Sequence, residues 1–521
     1  MGKLLLAAVV VVFAITLSIS AAEVAPKRGD VLWANALDSD ADFAQGQGAG
    51  AAVALGQRKA VLRVVKPTAQ ASALHQLPLP VERLRGQWVY LSADVKAQDV
   101  SAKPVDWNGV KVMLKIECTA QTHWPQVAIP VGTFDWKRLS TRVLIPQDAT
   151  AITLILGLES VSGTVWFDEL RLTVAKISPQ VAAAPADKPI FKGHTLPALR
   201  GAMVHPRMTQ QDLRVLAEDW GGNLVRWQLL YMPKPGTEHD LALYDQWLER
   251  EMAYLDQVLT WAKAYGVKVV VDLHSPPGGL LGGSGTVASS GPFWTNPKSQ
   301  AHFVSVWQRL AKRYADNPTV WGYDLLNEPD DRTVTEDCDD WQALALRAGQ
   351  AVRQIDPGCT LIVEPPDSGG APGFIGFAPI NLPNVVYSFH MYWPIEYTHQ
   401  GVLGPPATLA YPGRIGAQRW DKAALAASMA PAVAFAKQHR VHLYVGEFSA
   451  IRWAPGAEQY LADVIDLFES HGWDWSYHAF REWHGWNVEV GSDQKDPRPG
   501  TTPTQRQKVL RKWLAKNQQA K

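Results

Sequence analysis

The sequence predicts a (β/α)8 barrel preceded by an all-β sandwich of jelly-roll type, and two rhythms along its 521 residues carry that reading. From Val24 to Ala175, apolar and polar residues alternate with period two in short runs broken by Gly, Pro, Asn and Asp. From Leu196 onward, short apolar runs alternate with longer stretches of helical spacing, and the strand candidates number eight. A doubly wound open sheet shares this alternation, but no glycine-rich phosphate loop follows any strand candidate.

Taken in order, residues 1–22 read as a signal peptide. Lys3 precedes an apolar run from Leu4 to Ile19, and Ser20-Ala21-Ala22 supplies small residues for cleavage. The run is short for a membrane span, and no later segment is long and apolar enough to be one. Residues 24–175 form the sandwich, with strands expected at Gln87–Val95, Val110–Cys118, Leu139–Ile145, Ala151–Leu158 and Thr164–Val174. Residues 176–195, with Pro179, Ala182-Ala183-Ala184 and Pro185, read as a linker.

Residues 196–518 form the barrel. Its strands are expected at Ala198–Met203, Gly222–Trp227, Val267–Leu273, Val320–Leu326, Thr360–Val363, Val385–Phe389, His442–Val445 and Trp473–Ala479. Helices are expected at Thr209–Trp220, Asp240–Tyr265, Lys298–Tyr314, Asp339–Gln354, Asp421–His439 and Ala457–Ser470.

Composition narrows the function. Fifty Lys+Arg balance fifty Asp+Glu, which argues against a nucleic-acid binder or a protein of anionic membrane surfaces. Hydrophobic residues at 47% against 19% charged allow a large core. Tryptophan is over-represented, 22 against 14 each of Tyr and Phe, and indole faces suit packing, interfaces or sugar rings. The three cysteines form no disulfide framework and no zinc spacing. Cys338 and Cys359 flank a helix about 22 Å long, too far apart for a bridge, so three buried thiols are expected.

In such a barrel the site lies at the carboxyl ends of the strands. There the sequence places Arg226, His274, Asn327-Glu328, Glu364, His390 with Tyr392, and Glu447, while strand eight carries Trp475, Tyr477, His478 and, beyond it, Trp483. Two glutamates, on strands four and seven, are what acetal cleavage needs: one protonated to donate to the leaving oxygen, one ionised to attack. Like charges close together separate their own pKa values, and Arg226 favours the ionised member. Asn327 offers a neutral amide to a sugar hydroxyl. Asp272 and Glu364 are read as braces of the barrel rim.

With these residues assembled, Leu196 to Leu514 resembles glycoside hydrolase family 5. Leu326-Asn327-Glu328-Pro329 is similar to the motif of the acid/base glutamate, and Tyr444-Val445-Gly446-Glu447-Phe448 to the nucleophile strand. Arg226, His274, His390 and Tyr392 match residues that support substrate or nucleophile, and Tyr397-Thr398-His399-Gln400-Gly401 resembles a segment of bacterial endoglucanases. One departure stands out: His478 occupies the place of a tryptophan sugar platform, a role left to Trp483 or Trp475. The resemblance implies a retaining two-glutamate mechanism with carboxyl groups about 5 to 5.5 Å apart and no cofactor or metal. The implied substrate is a β-1,4-glucan, with β-mannan and β-1,3-glucan as alternatives. The sandwich weakly resembles a carbohydrate-binding module, in which Trp107, Trp124 and Trp136 could stack on sugars and Asp168 could hold calcium; the alternative is a purely stabilising domain.

Two rival readings are a metal-dependent hydrolase using His205, His274, His390 and Glu447, and a sugar-binding protein with a dead barrel. The sequence therefore predicts a secreted or periplasmic monomer whose partner is a polysaccharide, with no nucleic acid and no membrane beyond the signal segment. Amino-terminal sequencing of exported protein should begin at Glu23; recovery with Met1 in place would show an anchored segment instead.

Overall fold

The computed structural model describes residues 27–518 apart from 106, 120, 177–181, 235, 238, 279–291 and 403–407. The signal segment lies outside the described residues, as do parts of the linker and of the loops 276–292 and 401–412.

The amino-terminal region is two antiparallel sheets around one apolar core. One joins Ala51–Leu55, Arg58–Lys66, Gly163–Lys176, Trp88–Val100 and Gly132–Leu144, with Val31–Asn35 beside Gly163–Lys176. The other joins Gln47–Gly48, Ser72–Pro78, Ala149–Glu159, Gly109–Cys118 and Thr122–His123. Alternation explains the packing: in Gly163–Lys176, Val165, Phe167, Leu172 and Val174 enter the core. Ala51–Leu55 (AAVAL) carries no alternation, which is why it escaped notice as a strand. Asp168, the residue that could hold calcium, pairs with Arg58, whose guanidinium also covers the Trp136 ring at 4.0 Å.

Eight parallel strands close the barrel: β1 (Arg200–Val204), β2 (Leu224–Gln228), β3 (Lys268–Asp272), β4 (Val320–Asp324), β5 (Leu361–Val363), β6 (Val385–Met391), β7 (Leu443–Phe448) and β8 (Asp474–Phe480). Inside, Leu199, Leu224, Val270, Trp321, Ile362, Val386 and Tyr444 pack as an apolar plug. Two residues further along β2, β3 and β5 the inward positions become Arg226, Asp272 and Glu364, so a dry floor carries a charged layer above it. The surrounding helices bury one face each. In Leu241–Tyr265, Tyr244, Trp247, Leu248, Met252, Leu255, Val258 and Leu259 point inward; Asp240 caps the first turn and Gly266, at φ +67°, ends the last.

Three expectations need correction. Thr209–Trp220 is not one α-helix but Gln210–Arg214 running into a π-turn, Val215–Asp219, which accommodates one extra residue. Asp421–His439 is two helices, Lys422–Ser428 and Ala430–His439, because Pro431 has no N–H to continue the ladder. The three cysteines are free thiols, but only Cys338 is buried; Cys118 and Cys359 are half-buried. The barrel also gains a last helix, Gln505–Leu514, started by Thr504 Oγ1 accepting from Gln507 N at 3.1 Å.

The sandwich rests on the loop that follows β4. Arg142 forms a buried ion pair with Asp331 and lies over the Trp88 ring at 5.1 Å. Tyr90 Oη donates to Thr335 O at 3.2 Å and Thr173 Oγ1 to Glu336 at 3.0 Å. Asp331 Oδ2 in turn accepts from Trp341 N at 3.0 Å, tying the contact to the next helix. Removing one partner of a buried pair strands the other, so Arg142→Ala should lower stability by about 3–5 kcal/mol in urea unfolding, whereas an exposed contact would give less than about 1 kcal/mol.

Candidate active site

The strand ends meet around one guanidinium. Arg226, on β2, is fully buried; its Nη1 donates to Glu447 Oε1 at 2.6 Å. Its Nη2 lies 3.0 to 3.1 Å from Asp324, Glu364 and Asp272 and donates to Asn327 Oδ1 at 3.0 Å. Burial works against this charge, yet Asp272, Asp324, Glu447 and Glu364 together hold the Arg226 pKa well above its usual value. Four carboxylates around one cation cannot all ionise cheaply. Asp324 departs furthest: burial pushes its pKa far up against the pull of Arg226, and its Oδ1 has no hydrogen-bond partner among the described residues.

Glu447, on β7, is gripped through both oxygens. Oε1 takes the Arg226 bond, and Oε2 accepts from Tyr392 Oη at 2.8 Å. Burial opposes its ionisation, but His390, His478, Arg226 and His274 hold its pKa far below the ordinary carboxylate range. Glu328, just past β4, has the opposite fate: burial raises its pKa, although the bond from His390 Nδ1 at 2.9 Å offsets part of the rise. Its backbone sits at φ +45°, a region non-glycine residues seldom adopt, and its N–H donates to Glu364 Oε2 at 2.9 Å. Carboxylate oxygens of Glu328 and Glu447 and a ring nitrogen of His390 all lie within 4.8 Å of one another.

His390 spans the pair. Burial disfavours its charge, but Glu364 and Glu447 outweigh that and raise its pKa well above the usual value. Its Nε2 stands 3.1 Å from Glu364 Oε1. Close approach of β7 requires Gly446, where a Cβ would come within 3.0 Å of His390 Nε2.

These groups open onto a groove of about 1250 Å³. His274 lines it, its Nδ1 2.8 Å from Asp272 Oδ2; Asn327, Tyr392, His478 and Trp483 line it as well. Trp483 and Trp393 are 37% and 40% exposed at its edge. Trp475 is not a platform: it is buried, with Nε1 donating to Glu469 at 2.9 Å on the outer side of β8. Of the Thr398-His399-Gln400 segment, only His399 faces the groove; burial lowers its pKa to about 4. Thr398 Oγ1 is spent on Tyr392 O at 2.6 Å, and Gln400 on Leu409. The metal set considered for this mouth does not gather: among the described residues His390 and Glu447 cluster with Glu328, while His205 Nδ1 accepts from Arg207 N.

Sequence reasoning missed Asp324, Gln228, Glu482 and Trp486, and it misread Asp272 and Glu364. Those two do not brace a rim but stand at the centre, fully buried against Arg226. Counting inward positions by twos along β2, from Leu224 through Arg226, would have found Gln228.

Two glutamates of opposed ionisation in a groove atop a (β/α)8 barrel define a glycoside hydrolase. The chain belongs to the cellulase family, glycosyl hydrolase family 5, whose model matches residues 185–482. It is 27% identical over 300 residues to Endoglucanase C of Acetivibrio thermocellus, covering 52% of this chain and 84% of that one. It is 25% identical to Cellodextrinase A of Ruminococcus flavefaciens over 307 residues, 57% of this chain and 83% of that one. Among solved structures, Cel5A of Thermotoga maritima in complex with cellobiose aligns with a TM-score of 0.46 at 22% identity, covering 61% of this chain and 97% of that one.

If Asp324 is neutral and Arg226 is what keeps its neighbours ionised, the two sites respond differently to isosteric change. Asp324→Asn should alter unfolding free energy by about 1 kcal/mol or less, and Arg226→Met should lower it by about 3–5 kcal/mol. Equal losses in chemical denaturation would show that Asp324 carries a charge.

Proposed function

We propose that the protein is an exported, retaining β-glycanase that hydrolyses β-1,4-linked glucan in two displacements. Glu447 is the nucleophile and Glu328 the acid/base. The observation carrying this reading is two buried carboxylates facing one groove with oxygens within 4.8 Å, one held low by the histidines, Arg226 and Tyr392 and one raised by burial, an arrangement that suits double displacement.

In the first step Glu447 attacks the anomeric carbon while Glu328 gives its proton to the leaving oxygen. The glycosidic bond breaks as the glycosyl ester forms. Arg226 and Tyr392 keep the attacking carboxylate ionised and aimed. In the second step Glu328, now a carboxylate, takes a proton from water, which attacks the same carbon and releases Glu447. His390 stays against Glu328 throughout, supporting both of its states.

Glucan is favoured by the endoglucanase and cellodextrinase relatives. A second reading, a β-1,3-glucan, is supported by 26% identity over 200 residues to a glucan 1,3-beta-glucosidase of Yarrowia lipolytica, 36% of this chain and 46% of that one. His274, Asn327 and Trp483 are proposed to line the sugar subsites, with Trp393 and Trp486 beside them. Export rests on the residue 1–22 pattern; no helix among the described residues is long and apolar enough to cross a membrane. Trp107 and Trp124, 64% and 51% exposed on the sandwich, are suited to a glycan surface.

Reducing-end release from soluble cellulose derivatives, mannan and laminarin tests the reading. Glu447→Gln should fall to background, and Glu328→Gln should lose about 10²- to 10⁴-fold in kcat/KM on glucan. The pH profile of kcat/KM should be bell-shaped. Its acid limb, set by a depressed Glu447, should lie below the ordinary carboxylate value, and its alkaline limb, set by a raised Glu328, above it. With an aryl glycoside whose leaving group needs no proton, Glu328→Gln should abolish the alkaline limb. Equal sugar release by wild type and Glu447→Gln would mean a binding protein rather than a hydrolase at this site.

A further inference from the structure

His478 lines the groove, yet both of its ring nitrogens are engaged inside the protein. Nε2 is 3.1 Å from Glu482 Oε2, and Nδ1 contacts Tyr392 Oη and lies 3.4 Å from Glu447 Oε2. Glu482 is held in turn, its Oε1 accepting from Gln228 Nε2 at 3.1 Å, while Gln228 also donates to Val204 O at 2.9 Å. The Trp486 ring covers the imidazole, centroids 5.7 Å apart and 33° between planes.

Proton counting orders this chain. Glu482 accepts from Gln228 and, as a carboxylate, needs a donor on His478, which puts a proton on Nε2. Tyr392 Oη has one proton. If that proton goes to Glu447 Oε2, the oxygen faces Nδ1 as an acceptor only, so Nδ1 also carries a proton. Every donor then has an acceptor: Glu482 from Nε2–H, the Tyr392 oxygen from Nδ1–H, and Glu447 from Tyr392. A neutral imidazole would instead draw the tyrosine proton to Nδ1 and leave Glu447 Oε2 without it.

We propose that His478 is a positioning residue for the nucleophile: an imidazolium tethered to Glu482 that turns the Tyr392 hydroxyl proton onto Glu447, rather than a contact for sugar hydroxyls. The inference rests on Glu447 being the nucleophile. It reassigns His478 from sugar binding to the nucleophile's support. The charged and titratable groups around the ring agree with a cation there. Glu447 from β7 and Glu482 from beyond β8 are the anions; His390 and Tyr392 come from β6, His399 follows it, and His274 from the end of β3 acts on Glu482. Burial works against a charge on His478, but the two carboxylates outweigh it and raise its pKa. His399, pushed low, is the neutral member of the group.

The test is histidine ring NMR on the full-length, 15N-histidine-labelled protein between pH 5 and 9, with the His478 signals assigned by their loss in His478→Gln. Wild type should still show two protonated ring nitrogens at a pH just above the ordinary histidine value of about 6.5. In Glu482→Gln the ring should carry a single proton at that pH. The acid limb of kcat/KM should also move up by about one pH unit, because Glu447 loses a nearby cation and a directed donor. A bare ring nitrogen in wild type at about pH 6, or an unmoved acid limb in a folded Glu482→Gln protein, would overturn the proposal. The wild-type spectrum needs neither variant stability nor turnover. A doubly protonated His478 in a protein that cleaves no glycan would therefore count against the hydrolase reading and not against the relay.

Discussion

One buried cation holds the barrel mouth together. Arg226 has no water to share its charge with, so its stability depends on the carboxylates of Asp272, Asp324, Glu364 and Glu447, and theirs on it. Because these residues come from five different strands and strand ends, the ion cluster forms only when the barrel closes. The same cluster that fixes the closed sheet therefore prepares the chemistry. Its uneven surroundings make the members unequal: burial drives the Asp324 pKa up, while the histidines around Glu447 hold its pKa down.

The same surroundings shift two glutamates, with oxygens within 4.8 Å of each other, in opposite directions. Glu328 is lifted out of the charged layer by its left-handed backbone and meets only one donor ring, that of His390, so burial dominates its ionisation. Glu364 links the two levels, accepting from Arg226 below and from the Glu328 backbone above. A shift in the cation would thus be felt at both Glu328 and Glu447. The groove adds what charge cannot: indole edges at Trp393 and Trp483 that offer apolar faces to a flat, hydroxyl-bearing ligand.

The sandwich is more than an appendage in this arrangement. Its contacts through Arg142, Tyr90 and Thr173 all fall on the loop that begins a few residues after Glu328. The sandwich is thus pressed against the loop that follows Glu328, whose backbone sits at φ +45°.

Much of this was legible in the chain. Period two and the helical spacing determined a sandwich and an eight-stranded barrel, because both record which face of each element meets water. The Asn327-Glu328 and Gly446-Glu447 pairs were visible because polar residues right after apolar strands break a pattern. Asp324 and Gln228 were hidden because they sit within strands that otherwise read as core. Asp272 and Glu364 were visible but misplaced, since a sequence does not say whether a strand-end side chain turns outward or into the pore. Glu482 and Trp486 lie beyond β8 in a loop whose path no periodicity records. The sequence by itself determined the elements and the residue types available at the mouth. Only the tertiary structure decided which carboxylates are pushed up and which are held down, because ionisation depends on burial and on charges brought together from distant strands.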